Sequence, residues 1–566
     1  MNYLKKLKKR ATFLNISILV AYLLFVLTCF FFFKEPTFAD WKTELAFLQK
    51  TTQNEKAEHF LHEQLTTHLH DIALHYAYIT NHFKIPKNKR YGRQTVIRDD
   101  KTIHSYYASV LPTSDAMLVN IRHYAMGLLA SHEEKYELAE YYFDLIEDDT
   151  MPYVHNSKGY ILKEWKQFEE AEILFKKELR LSNGNFSSAY SNLFSTYMEQ
   201  QRYDEFLALS KTPEAREFIP LHMLRRICIV KDKPLLYIQL SLRHDFEHAH
   251  ILGFIAATGI MLFWLFYLRQ LDVFEPEKWH YLWLALGLGI VFSFAALPLY
   301  DLMEQFWGFD LNGQFFNDLV YCIFGIGIIE EFVKIVPLLL LLAFPQITNE
   351  PFDYVLYASV SALGFSYMEN IMYFDKYSMD ILHGRATYST VSHMVDSSII
   401  AYGLYMNNLV WKKPLWLVFP AFLLVAATAH GLYDFFLVNE TASLFSILTT
   451  VVFISELCIW NIIKTNALNH SSFFDLKIKI EMEKLNRYLV LGIFFLMSYE
   501  FFALSWVAGA PYAMRKIFYA FFATFFIFSY LSPHLTQFKL AKGKMWPLRY
   551  WPSKGNEEAP DRYQDN

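Results

Sequence analysis

Four stretches of this chain set ionisable side chains into otherwise apolar runs. Ile329-Glu330-Glu331-Phe332-Val333-Lys334 puts two adjacent carboxylates and a lysine into the run at 318–343. Phe365-Ser366-Tyr367-Met368-Glu369-Asn370 lies in the run at 352–374, and Ser392-His393-Met394-Val395-Asp396 opens that at 390–409. Ala429-His430-Gly431-Leu432-Tyr433-Asp434 lies in the run at 415–437. A charge at the centre of a membrane helix costs about 2.5 kcal/mol or more, so such residues point to function. A lysine at i+4 reaches a glutamate on the same side of a helix. Lys334 would therefore neutralise one of Glu330 and Glu331 and leave the other free for acid–base work. Asp434, one turn beyond His430, is placed to hold the imidazole tautomer by a hydrogen bond. Together the four helices supply Glu/Glu/Lys, Glu/Asn, His and His/Asp. That set suits either a metal site of imidazoles and carboxylate or a metal-free site of glutamate base and histidine.

The elements that must position these residues are membrane helices. Of 566 residues, 54% are hydrophobic, 18% aromatic and only 19% charged, below the roughly 25% charge of soluble chains. The 53 Phe and 37 Tyr exclude a disordered or nucleic-acid-coating protein, and a net charge of -5 offers no polyanion-binding excess. Cys29, Cys228, Cys322 and Cys458 are far apart, with no CxxC, so neither a disulfide framework nor a cysteine zinc site is indicated. A basic N-terminus (Lys5, Lys6, Lys8, Lys9, Arg10) precedes an apolar run at 13–33 without a small-residue cleavage site, which reads as a signal anchor. Further runs at 250–268, 281–299, 318–343, 352–374, 390–409, 415–437, 444–463, 488–508 and 517–531 bring the expected spans to ten. The distribution of Lys and Arg then puts both termini inside and residues 34–248 outside. Arg269, Lys278, Lys412, Lys413 and Lys464 fall inside; Lys376, Arg385, Arg515 and Lys516 run against the rule.

Residues 34–248 read as a soluble helical domain. Lys135-Tyr136-Glu137-Leu138-Ala139, Gln167-Phe168-Glu169-Glu170-Ala171 and Arg202-Tyr203-Asp204-Glu205-Phe206 look alike, with aromatics at 136, 168 and 203. Their spacing brackets the roughly 34-residue tetratricopeptide period, and each opens a helical pattern. This predicts a module that binds protein or peptide partners and carries no catalytic residues.

The EExxK of Glu330, Glu331 and Lys334, the FxxxEN of Phe365, Glu369 and Asn370, and the later histidines resemble the PrsW family of intramembrane proteases. That family is distantly similar to the CAAX-processing and bacteriocin-processing proteases. The resemblance covers roughly residues 250–465. It implies an intramembrane endopeptidase acting on membrane-anchored protein substrates, with stress or envelope signalling as the setting. Glu330 or Glu331 would activate water, Lys334 would tune the second carboxylate, and Asn370 would donate to the oxyanion. Glu369, His393 and His430 would complete the site, either as zinc ligands or by stabilising the tetrahedral intermediate, with Phe365 and Asp434 in support.

The expected architecture is thus all-α and polytopic. An anchor (1–33) is followed by the helical domain (34–248), a catalytic membrane domain (249–465), two further spans with their preceding loop (466–531) and an inner tail (532–566). The lipid bilayer of the cell membrane is its setting, and nucleic acid is not a partner. The rival readings are a secondary transporter, which would also bury Glu, Lys and His but normally shows inverted repeats, and a non-catalytic receptor.

Overall fold

The computed structural model describes residues 20, 22–51, 53–85, 88–91, 94–109, 115–247, 250–377, 379–475, 482–518, 520, 535 and 540–546. They form two compact units. The first comprises Met1–Ala256, Asn370–Leu382 and Tyr499–Phe518; the second comprises Ala257–Glu369, His383–Ser498 and Tyr519–Asn566.

The first unit is helical apart from one antiparallel hairpin, Asn88–Tyr91 with Gln94–Ile97. Aspartates begin several helices: Asp40, Asp71 and Asp115 each accept from two backbone N–H groups of the following turn, satisfying donors that a helix start leaves without an intrahelical acceptor. Further on, helices come in consecutive pairs: Ala116–His132 with Tyr136–Asp144, Val154–Glu164 with Phe168–Leu181, Ser187–Glu199 with Tyr203–Leu209, and Leu221–Val230 with Pro234–Glu247. Each pair turns through one residue at positive φ, namely Glu134, Lys166, Gln201 and Asp232. Tyr136, Phe168 and Tyr203 open the second helices of the first three pairs. The core between the helices is aromatic: Phe143, Phe175, Phe194 and Phe206 are fully buried.

Five described helices are long and apolar enough to cross a membrane: Ile251–Leu271, Trp279–Trp307, Leu415–Val438, Ile447–Asn469 and Glu483–Ala508. This corrects the expected ten. The run at 13–33 lies mostly outside the described residues, its described part being a short apolar helix, Tyr22–Phe32; the run at 517–531 lies almost wholly outside them. The segment 300–317, between two of the expected spans, begins as a helix that continues to Trp307.

The other three expected spans are helical but too short or too polar. Residues 318–343 comprise Phe315–Val320, a π-helical turn at Tyr321–Gly327 and the 14-residue helix Ile328–Leu341. Residues 352–374 fall in the 27-residue helix Pro351–Tyr377, and 390–409 begin with the 17-residue helix Thr390–Met406. Their polarity serves packing between helices. Every residue of Thr390–Met406 except Tyr402 is buried, and short hydroxyl side chains tie these helices together. Ser359 and Ser398 meet at 2.9 Å, Ser366 and Thr390 at 3.0 Å, and Ser361 Oγ donates to the Lys334 carbonyl at 2.7 Å. Small polar residues of this kind let membrane helices approach closely and bond across the contact.

Candidate active site

Glu330, Glu331 and Lys334 lie near the start of Ile328–Leu341, directly after the π-helical turn. Such turns insert an extra residue into the helical register and recur at functional sites. Here the turn packs against the His430 helix, Leu415–Val438, at contacts that leave no room for a side chain. A Cβ on Gly327 would meet the Ala427 carbonyl at 2.4 Å, and one on Gly431 would meet that of Cys322 at 2.6 Å. The two glycines therefore bring His430 up to the glutamates. A second π-helical turn, Arg385–Ser389, leads into the His393 helix, Thr390–Met406. Its spacing sets Arg385, Ser389 and His393 four residues apart.

Lys334 is the hub. Its Nζ donates to Glu330 Oε2 and Glu331 Oε1, both at 2.9 Å, and lies 2.7 Å from His393 Nδ1 and 3.3 Å from His430 Nδ1. The ammonium also sits 4.5 Å from the centre of the Phe365 ring, within cation–π range. A lysine with no exposed surface survives there because two carboxylates share its charge.

The two glutamates are not equivalent. Glu331 is sealed: Oε1 also meets His430 Nδ1 at 2.8 Å, Oε2 accepts from Ser397 Oγ at 2.9 Å, and the side chain has no exposed surface. Glu330 keeps 11% of its side chain exposed, accepts from Tyr300 Oη at 2.7 Å and lies 3.4 Å from His430 Nε2. Glu369 stands behind His393: its Oε2 is 2.7 Å from His393 Nε2 and 2.8 Å from the Arg385 guanidinium. Asp434 Oδ2 lies 3.3 Å from His430 Nε2. Asn370 follows Glu369 on the same helix and is buried.

Glu330, Glu331, Lys334, Phe365, Glu369, His393, His430 and Asp434 are therefore brought together. Reading the sequence missed Tyr300, Arg385, Ser389 and Ser397 as members of the network. Asp396 also escaped a role; it is 1% exposed and offers an oxygen within 4.8 Å of donor atoms on Glu331 and His430. The one sequence signal for Arg385 was its conflict with the charge pattern of the loops.

As a metal-binding set, one donor atom each from Glu330, His393 and His430 lies within 4.8 Å of the others. Two imidazoles and a carboxylate fit a catalytic metal with an open position. Glu369, expected among the ligands, is bonded instead to the Nε2 of His393, as carboxylates that orient a ligating histidine are.

Comparison with known proteins agrees with this chemistry. Residues 277–459 match the PrsW family intramembrane metalloprotease description. The chain is 26% identical over 184 residues to Protease PrsW of Geobacillus kaustophilus, covering 32% of this chain and 78% of that protein. With Protease PrsW of Bacillus subtilis the identity is 27% over 204 residues, 35% and 87% of the two chains. For that of Clostridioides difficile it is 26% over 228 residues, 38% and 92%. No solved structure matches the chain. The relatives are nearly spanned while most of this chain lies beyond them. Residues 277–459 thus form a PrsW-family protease domain, and the protein is an intramembrane peptidase.

Proposed function

We propose that Glu330 is the general base of peptide-bond hydrolysis and that Glu331 is the fixed anchor of the site. The observation that carries this is their difference in access: Glu330 keeps 11% of its side chain exposed, whereas Glu331 keeps none. Glu330 takes a proton from water as the water oxygen bonds to the scissile carbonyl carbon. The carbonyl oxygen becomes an oxyanion, stabilised by the Lys334 ammonium and by donors held in place before the reaction begins. Glu330 then gives its proton to the amide nitrogen, and the C–N bond breaks. Glu369, braced by Arg385, fixes the ring of His393; Asp434 does the same for His430. Asn370 serves as a further oxyanion donor.

Zinc is the metal best suited to the site. His393 and His430 would hold it beside Glu330, which stays free as the base, and when bound it would supply a Lewis acid for water and carbonyl. The substrates are membrane-anchored proteins, because a site among membrane helices meets chains already in the bilayer. The paired helices of residues 116–247 form a tetratricopeptide-like module, and residues 34–248 lie outside the cell membrane and select substrates. Their regular turns and leading aromatics support that reading.

The test uses the full chain, purified in detergent and mixed with single-span protein substrates. Glu330→Gln should lower turnover by about 10²–10⁴-fold without changing thermal stability, whereas Glu331→Gln should lower both. Near-normal cleavage by Glu330→Gln would reject the assignment. Metal analysis of the same preparations checks the zinc reading: about one equivalent, lost in His393→Ala and His430→Ala.

A further inference from the structure

A second group of buried acids lies away from the site just described. Asp272 follows the helix Ile251–Leu271, Glu277 precedes Trp279–Ser293, and Glu350 and Asp353 stand at the start of Pro351–Tyr377. Their exposures are 1%, 7%, 3% and 0%. Among the described residues, no Lys, Arg or His side chain is bonded to their carboxylates, although Arg269 Nε donates to the Glu277 main-chain carbonyl at 2.9 Å. Four acids have been taken out of water together, at a cost of several kcal/mol per ion when uncompensated.

The orientation of three of these carboxylates is specific. Asp272 Oδ2 accepts from the Glu277 N–H at 2.8 Å. Asp353 Oδ2 accepts from the N–H groups of Asn349 and Glu350, each at 2.8 Å. Glu350 Oε2 accepts from Ser471 Oγ. In each case one oxygen is held and the other is left over: Asp272 Oδ1, Glu350 Oε1 and Asp353 Oδ1 have no hydrogen-bond partner among the described residues. One oxygen from each of the three side chains comes within 4.8 Å of the others. Carboxylates fixed through one oxygen so that the other is presented are how proteins orient metal ligands.

We propose that Asp272, Glu350 and Asp353 bind a hard divalent cation, magnesium or calcium. An all-oxygen donor set suits these ions, which complete their coordination with water, and not zinc or copper, which favour nitrogen and sulfur. The cation clips the turn at 272–278 to the start of the Glu369 helix, with Ser471 holding one ligand from a third segment. Its role is structural. Glu369 lies 16 residues beyond Asp353, or about 24 Å along the helix, so the cation fixes the far end of an element that braces His393. The rival occupant is a pair of protons, one shared by the facing carboxyls of Asp272 and Glu350 and one by Glu277 and Asp353.

Thermal unfolding and calorimetric titration of the full-length, chelator-treated protein in detergent separate the two. Magnesium chloride and calcium chloride are added in separate arms. One equivalent of at least one ion should bind and raise Tm by roughly 5 °C at saturation, and the arm with the larger rise identifies the ion. Asp272→Asn and Asp353→Asn keep the held oxygen as an acceptor. Each should lose the cation response while its metal-free Tm stays equal or rises. His393→Ala should keep the response, which separates this site from the catalytic one. Absence of binding by either ion in the unmodified chain would overturn the proposal in favour of shared protons. Persistence of the response in the Asp272→Asn/Asp353→Asn double variant would overturn the assignment of ligands.

Discussion

The two buried acidic clusters of the second unit solve the same electrostatic problem in opposite ways. Around Glu330, Glu331 and Glu369 the countercharge is covalent: Lys334 bonds two of the carboxylates and Arg385 the third. Among the described residues, no side-chain cation is bonded to the carboxylates of Asp272, Glu277, Glu350 and Asp353. A site that carries its own cations keeps its carboxylates charged and in place whatever the medium supplies. A site without them needs protons or a bound ion and becomes sensitive to solution conditions. The proposed catalysis sits on the first kind, the proposed structural clip on the second.

The sharpest test of this contrast removes one charge from each cluster. Lys334→Met leaves buried carboxylates uncompensated and should cost roughly 3–5 kcal/mol, measured by denaturant unfolding. Adding Glu331→Gln to Lys334→Met should return part of the loss. Asp353→Asn in chelator should go the other way, being neutral or stabilising by about 1 kcal/mol. Equal destabilisation by both changes would dissolve the distinction.

A smaller effect is expected at the outer edge of the catalytic cluster. Arg385→Gln removes the ion pair behind Glu369 and should lower kcat by roughly 10–100-fold, as loss of an orienting partner does. Arg385→Lys should recover part of that. An unchanged KM would place the effect in the chemical step. Tyr300→Phe, which deletes one hydrogen bond to Glu330 Oε1, should act on a similar scale. A bond to a charged group is worth about 1.5–3 kcal/mol, so kcat/KM should fall by roughly one to two orders of magnitude at most. No change would mean that Tyr300 plays no part in holding the base.

The gathering of ionisable side chains around Lys334 was readable in the sequence because such groups inside apolar runs are a rare signal: Glu330, Glu331, Lys334, Glu369, His393 and His430 all stood out that way. Hydropathy failed elsewhere for a related reason. It scores a run by its average polarity, and the runs at 318–343 and 390–409 are apolar enough on average although their main helices, Ile328–Leu341 and Thr390–Met406, have only 14 and 17 residues and the second is almost wholly buried. Counting ten equivalent spans treated inner helices as if all met lipid. The charge pattern misled in the same manner. Arg385 and Lys516 conflict with the expected loops, yet one pairs with Glu369 and the other, in the first unit, with Asp380 at 2.9 Å. They are counter-ions first. Asp272, Glu277, Glu350 and Asp353 gave no signal at all, since acids in turns are ordinary until folding gathers them.

The spacing of Lys334 from the two glutamates has a consequence for how the protein is made. His430 lies 96 residues beyond Lys334, and at about 5–20 residues per second its synthesis follows by roughly 5–20 s. During that interval Glu330 and Glu331 must already be leaving the aqueous phase, with neither histidine helix complete. Because Lys334 sits on the same helix, one turn away, the nascent segment brings its own neutralising charge to the bilayer. Insertion of this helix then does not wait for its partners, while hydrolytic chemistry must. On the proposed mechanism, the growing chain stays inert until the His430 helix docks.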